Sequence, residues 1–403
     1  MSETLSLYIH IPFCVKKCRY CDFYSEAGSL LIPDYISALL KEIRLRLAPD
    51  LNLGQNSGQN PVQKIDTIYL GGGTPSLLSV SQLKSILETL IGICHINPDA
   101  EITCEINPKT VNSGTVNSDY IYGLRQAGIN RLSLGVQSFN EDKLKFLGRI
   151  HSADEAVKTI DNAIRVGFDN ISLDLIYGVP GESTPDWIRD LKKALEFSPS
   201  HLSCYMLTVE AGTPLAADLE NKLFVPFDRE IMAERLKISS QYLAEAGFDH
   251  YEISNFSRGK DKRSRHNSRY WDSLPYVGVG AAAHSWDGAV RSWNHSNIDK
   301  YIRDVEAGKM PVEASETLNR DQQMVEMIML RLRTLEGLDL RAFERRFAIV
   351  FQSRFKTLLN MILAEKLGKI QKDKFFLTLE GRTCLDSIVE AFASEIFSTL
   401  NST

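Results

Sequence analysis

Short apolar, β-rich runs alternate with amphipathic helical segments through the first two-thirds of the chain, and this alternation restricts the fold more than any other feature. The runs are LSLYIHI, IDTIYL, EITCEI, RLSLGV, ISLDLIYG and HLSCYML. Between and after them lie DYISALLKEIRLRL, SQLKSILETLIGI, ADEAVKTIDNAIRVG, PDWIRDLKKALEF and DREIMAERLKISSQYLAEAG. Parallel neighbours cannot be joined by a tight turn, so strands separated by helices predict a parallel sheet. The expected fold is α/β, a partial, TIM-like (βα)6 barrel over residues 1–246. The stretch LNLGQNSGQNPVQ, between the first helix and the second strand, has too little apolar surface to offset its ordering entropy and reads as a mobile surface insertion.

After Gly247 the rhythm fails. Residues 247–314 read as an irregular extension rich in aromatic, His and Asn residues, a composition that either lines a site or packs a long loop on itself. From 315 to 403, QQMVEMIMLRLRTLEG, LRAFERRF and VFQSRFKTLLNMILAEKL read as helices and LGKIQKDKFFLTLEGR as a hairpin, followed by a last helix. Helices followed by a two-stranded wing predict a winged-helix-like α+β domain, which does not by itself establish DNA binding.

A chain of 403 residues suits a large barrel with a smaller appendage. Its formal net charge of −5 gives no bulk attraction to phosphate backbones, so nucleic acid is not an expected partner. There is no apolar run near the ~20 residues of a membrane span, and MSETLSLYIH has no basic leader. A cytoplasmic chain is expected, with membrane contact only through a partner. Seven cysteines are an odd number, and three of them fall within eight residues, which is metal-site usage and not a disulfide framework. The scattered Cys94, Cys104, Cys204 and Cys384 read as small buried hydrophobes.

CVKKCRYCDF directly follows the first strand and presents Cys14, Cys18 and Cys21 at spacings of four and three. Three thiolates suit a 4Fe–4S cluster with one iron left open, which S-adenosylmethionine (SAM) can chelate through its amino and carboxylate groups. A structural zinc site with His10 as fourth ligand is the competing assignment, but zinc favours paired CxxC knuckles. Barrel sites are assembled at the C-terminal ends of strands, so matching residues should recur once per βα unit. Gly71, Gly72, Gly73 and Thr74 follow IDTIYL, Glu105 follows EITC, Gln137 follows RLSLGV and Asp174 follows ISL. Singly, the glycines read as a turn that admits a ligand close to the backbone, and Glu105 or Asp174 as a helix cap. Their recurrence favours one shared site.

At these residues the chain resembles the radical SAM superfamily, and within it the oxygen-independent coproporphyrinogen III oxidase family. The segments that carry the resemblance are YIHIPFCVKKCRYCDF, GGGTPS, EINP, LSLGVQSF, DLIYGVPGES, HNSRYW and the C-terminal helical domain. The resemblance implies Cys14, Cys18 and Cys21 as cluster ligands, and Tyr8, Tyr20, Gly72, Gly73, Thr74, Glu105, Gln137, Arg149 and Asp174 as SAM contacts. In those roles Glu105 would neutralise the SAM ammonium, Arg149 would pair with its carboxylate, Asp174 would accept from ribose hydroxyls and Tyr20 would pack near adenine. The oxidases carry a fourth Cys two residues after the third and a longer N-terminal region. Here that position is Phe23, and thirteen residues precede Cys14.

Both departures match the HemW-type heme chaperone branch, as does the HNxxYW motif at His266, Asn267, Tyr270 and Trp271. That branch implies heme as cargo, an external electron donor, and delivery to acceptor hemoproteins such as membrane-bound respiratory proteins. His266 is then a candidate axial ligand, with Tyr270 and Trp271 as flat apolar surface; His10, His284 or a cysteine are alternative ligands. The competing expectation is an oxygen-independent coproporphyrinogen III dehydrogenase.

Overall fold

A computed structural model describes residues 4–48, 63–110 and 114–398, so the proposed insertion lies outside the described residues except for Gln63. The chain divides into two compact units. The first runs through Phe227 and adds Pro275–Asp287 and Arg291–Ser315; the second comprises Asp228–Leu274, Gly288–Val290 and Glu316 onward.

In the first unit six strands follow the predicted runs: β1 Leu5–Ile11, β2 Lys64–Gly72, β3 His95–Ile106, β4 Arg131–Gln137, β5 Ile171–Tyr177 and β6 His201–Met206. A seventh, β7 Val277–Val279, pairs with Leu7–Ile9 on the free side of β1. The order is β6-β5-β4-β3-β2-β1-β7, and every pairing is parallel. This is a partial barrel sheet whose strands all run the same way, so their C-terminal ends share one rim. A three-residue strand centred on a glycine carries no periodicity, which is why β7 escapes sequence reading.

Helices α1 Ile32–Leu47, α2 Val80–Ile93, α3 Ser118–Gln126, α4 Glu141–Leu147, α5 Ala153–Val166 and α6 Thr184–Glu196 connect the strands. Ser79, Ser152 and Ser183 close capping boxes that satisfy the otherwise orphaned first-turn N–H groups. Helices α3 and α4 were not anticipated. They are short, and α3 contains Gly123, where an added β-carbon would meet Val80 Cγ2 at 2.7 Å. The glycine lowers helix propensity but permits that close approach.

The strands bury Leu7, Ile9, Ile68, Leu70, Leu132, Leu134, Leu173 and Leu175, together with small polar residues, Ser6, Thr67, Ser133, Ser172 and Ser203. The hydroxyls are paired, as in Thr67 to Ser6 at 2.7 Å, which offsets the cost of burying them. Cys94, Cys104 and Cys204 are buried as expected, whereas Cys384 is exposed. Glu42 of α1 is fully buried and accepts from the Gly280 N–H, Asn294 Nδ2 and Tyr301 Oη, each at 2.7 Å, and from Arg46 Nη2 at 2.9 Å. One carboxylate with four donors thus ties the returning segment 275–315 to the unit.

The second unit packs helices Arg320–Leu332, Leu340–Phe347, Lys356–Ala364 and Leu385–Ser398 around Phe343, Phe347, Phe351, Phe355, Phe375 and Phe392. Its antiparallel wing joins Gly368–Gln371 to Lys374–Leu377, turning at Lys372 and Asp373 with φ of 51° and 60°, a tight hairpin turn. Segment 247–314, expected to be irregular, is more ordered than its composition suggests. It includes helix Arg265–Trp271, β7, the hairpin His284–Trp286 with Val290–Asn294, and helix Ile298–Glu306.

Candidate SAM and cluster site

A cavity of about 510 Å³ lies at the C-terminal rim of the first unit's strands, a volume suited to a cofactor-sized ligand. Cys14, Cys18 and Cys21 line it, with Tyr20, Gly72, Gly73, Thr74, Glu105, Gln137, Arg149 and Asp174. Elements separated by up to 160 residues of sequence deliver these groups to one place because they lie on parallel strands or in the loops that follow them. Tyr8 is the exception. It is absent from the lining, and its hydroxyl lies 3.0 Å from His10 Nδ1 while its ring stacks on Tyr69.

His10 Nε2 is 3.0 Å from the Tyr24 carbonyl, which can only accept, so Nε2 carries the proton and Nδ1 accepts from Tyr8. Burial lowers the His10 pKa to about 4 and the ring is neutral. With both nitrogens engaged, His10 is not placed to be a fourth zinc ligand or a heme ligand. The glycines that line the cavity also serve packing. A β-carbon on Gly72 would lie 2.6 Å from the His10 ring, and one on Gly73 would lie 2.7 Å from the Phe13 carbonyl. They let the end of β2 pack against β1 and the start of the cysteine loop.

Among the described residues no three His, Cys, Asp or Glu side chains converge on a single metal ion. A cubane spreads its thiolates over separate irons, so the relevant test is whether three thiols face one space. They do, which fits the donor set to a cluster. Cys14 Sγ lies 3.5 Å from Thr74 Oγ1, and Arg149 Nη1 donates to Cys18 Sγ at 3.3 Å. Arg149 Nη2 donates to the Gly135 carbonyl at 2.9 Å. Burial opposes the guanidinium charge, but Tyr20 and Cys18 outweigh it and raise the Arg149 pKa. Burial raises Tyr20, so its phenol keeps its proton.

Glu105 accepts from Tyr69 Oη at 2.8 Å and from the Gly72 N–H at 3.2 Å. Burial, reinforced by Asp174, pushes its pKa up to about 7. Asp174 accepts from Ser133 Oγ at 2.9 Å and Ser172 Oγ at 3.3 Å, with its pKa raised by burial. Neither caps a helix; Asn117 and Ser183 cap α3 and α6. Glu105 and Asp174 bring two half-buried carboxylates to the cavity and Arg149 one half-buried guanidinium, the complement of a zwitterionic cation such as SAM. Sequence reading missed Tyr69, Ser133 and Gly135. A tyrosine two residues before a triple glycine was the available signal for the first. Phe23 lines the cavity and is 71% exposed.

His266, Tyr270 and Trp271 belong to the second unit, in helix Arg265–Trp271. His266 is 1% exposed, and its Nε2 shares a hydrogen bond of 2.8 Å with Tyr270 Oη. The Arg333 guanidinium lies 3.9 Å from the Trp271 ring centroid, while its Nη2 donates to buried Glu252 at 2.8 Å. His284 is exposed and stacks on Trp293.

Residues 8–194 match the Radical SAM superfamily, and residues 318–383 match the HemN C-terminal domain. A heme chaperone HemW from Mycobacterium tuberculosis is 33% identical over 394 residues, covering 96% of this chain and 94% of its own. One from Escherichia coli is 33% identical over 397 residues, covering 97% and 98%. The solved structure of coproporphyrinogen III oxidase (HemN) from Escherichia coli, a radical SAM enzyme, superposes with a TM-score of 0.80 at 23% identity, over 97% of this chain and 90% of that one. That likeness concerns the fold; the full-length identities fix the lineage, and the chain belongs to the radical SAM superfamily and, within it, to the HemW heme chaperone family.

Proposed function

We propose that this chain binds heme and passes it to acceptor hemoproteins, carrying a 4Fe–4S cluster on Cys14, Cys18 and Cys21 with SAM in the adjoining cavity. The full-length similarity to heme chaperones carries the reading, and Phe23 at the position of the oxidases' fourth cysteine supports it. Membership of the radical SAM superfamily implies the cluster and SAM; when bound, the cluster supplies an electron that cleaves a SAM carbon–sulfur bond.

The chain's own residues prepare the cavity. Arg149 donates to the Cys18 sulfur and offers its charge to the SAM carboxylate. Glu105, oriented by Tyr69, neutralises the ammonium after giving up its proton. Asp174, aligned by Ser133 and Ser172, accepts from ribose hydroxyls. Gln137 supplies an amide, Tyr20 covers the adenine, and Gly72, Gly73 and Thr74 offer backbone and hydroxyl groups. In this reading residues 1–246 hold cluster and SAM, 247–314 present His266, Tyr270 and Trp271 to heme, and 315–403 form the winged-helix-like domain. The setting is cytoplasmic. An external donor reduces the cluster, and membrane-bound respiratory acceptors are reached through partner contact. Among the described residues no helix is long and apolar enough to cross a membrane.

The test is anaerobic heme titration of cluster-reconstituted protein, with coproporphyrinogen turnover measured alongside. Stoichiometric heme binding without protoporphyrinogen formation is expected; robust turnover with no heme binding would replace the chaperone by the dehydrogenase.

A further inference from the structure

Gln137 ends β4 with φ of +66°, and the Ser138 N–H donates to the Val136 carbonyl at 2.8 Å. Residue 137 is therefore the centre of a γ-turn of the left-handed kind, which strains any residue with a β-carbon. Such strain persists only where the surroundings over-determine it. The surroundings here include a cluster of charges that does not line the cavity. Asp190 of α6 accepts from Ser138 Oγ at 2.7 Å and from the Phe139 N–H at 2.8 Å, gripping the two residues that leave the turn. Lys143 Nζ donates to Asp190 Oδ2 at 2.7 Å and also to Glu182, which accepts from the Gly178 N–H at 2.8 Å. Asp190, Lys143 and Glu182 are 3%, 6% and 5% exposed, so three charges are removed from water to tie the loop after β4 to the loop after β5. Apolar residues would fill that volume with equal or greater stability. The cluster instead fixes where two loops leave their strands.

We propose that Asp190, neutralised by Lys143, is the positioning residue that holds Gln137 in its strained turn and so aims the amide into the cavity. The inference rests on the reading of Gln137 as a SAM contact. Replacing Asp190 leaves the turn free to relax to an ordinary extended end, with the amide displaced.

The experiment measures SAM affinity of full-length, cluster-reconstituted protein for wild type, Asp190→Ala, Gln137→Ala and the double variant, by equilibrium dialysis. Amide exchange over residues 136–142 is followed without SAM. Asp190→Ala is expected to weaken SAM binding about tenfold in the wild-type background and not at all in the Gln137→Ala background. It also speeds exchange at Ser138 and Phe139 while exchange in β1 stays unchanged. Ser138→Ala, which keeps the buried charges paired, shows the same pattern at about threefold. Equal losses with Gln or Ala at position 137 would overturn the proposal, because a merely structural role is additive. Wild-type affinity in Gln137→Ala would overturn the SAM contact itself, and unchanged exchange in Asp190→Ala would overturn the clamp.

Discussion

The cavity of the first unit and the His266 helix of the second handle their chemistry in opposite ways. In the cavity, Glu105, Asp174 and the three thiols are oriented by neighbours yet still line a space that a ligand can enter. In the helix, the same types of neighbour consume the groups: Tyr270 occupies His266 Nε2, and Arg333 covers a face of Trp271. A motif in sequence therefore marks a preformed site in one case and a closed one in the other. Heme ligation through His266 Nε2 requires the Tyr270 bond to be given up.

Breaking the closed side should have the largest effect. Arg333→Met leaves Glu252, which is fully buried, without its guanidinium; stability should fall by about 3 kcal/mol in chemical denaturation. SAM affinity should be unchanged, and a parallel loss of SAM binding would contradict the contrast between the two regions.

Next comes the open side. Glu105→Gln removes the carboxylate that meets a cation, and SAM affinity should drop about thirtyfold at pH 8. In wild type the sign of the pH dependence follows from the pKa of about 7. Below pH 7 the carboxyl is protonated and must release its proton to receive the ammonium, so affinity falls by up to about tenfold per pH unit and levels off above. Without SAM the raised pKa acts the other way on folding: the protonated form's advantage is full below about pH 4.5 and is lost as pH rises through 7. A flat SAM profile from pH 6 to 8 in wild type would remove Glu105 from the ammonium.

The smallest change sharpens the comparison. Tyr270→Phe removes the hydroxyl on His266 Nε2, and heme affinity should rise about threefold by visible titration. A fall would make Tyr270 itself a heme contact.

Sequence periodicity exposed the six long strands because their alternation is local, and the site followed because parallel strands collect residues at one rim. What depended on partners distant in sequence stayed hidden. Nothing near His10 announces that the Tyr24 carbonyl, 14 residues later, takes its second nitrogen, and nothing near Glu105 names Tyr69, 36 residues earlier, as its donor. Gly72 and Gly73 were read as ligand space and do line the cavity, but nothing local shows that their missing β-carbons also make room for the His10 ring and the Phe13 backbone. Gln137 was expected at the site and lines the cavity, but no local signal marks its left-handed turn or the bond from the next residue, Ser138, to Asp190.

Metal analysis of anaerobically reconstituted protein, with electron paramagnetic resonance before and after SAM, tests most directly whether three thiols at one rim hold the cluster. Wild type should carry ~4 iron atoms per chain and show a signal that shifts with SAM, while Cys14→Ala/Cys18→Ala/Cys21→Ala should carry none. Undiminished iron in the triple variant, or a wild-type signal indifferent to SAM, would contradict the assignment.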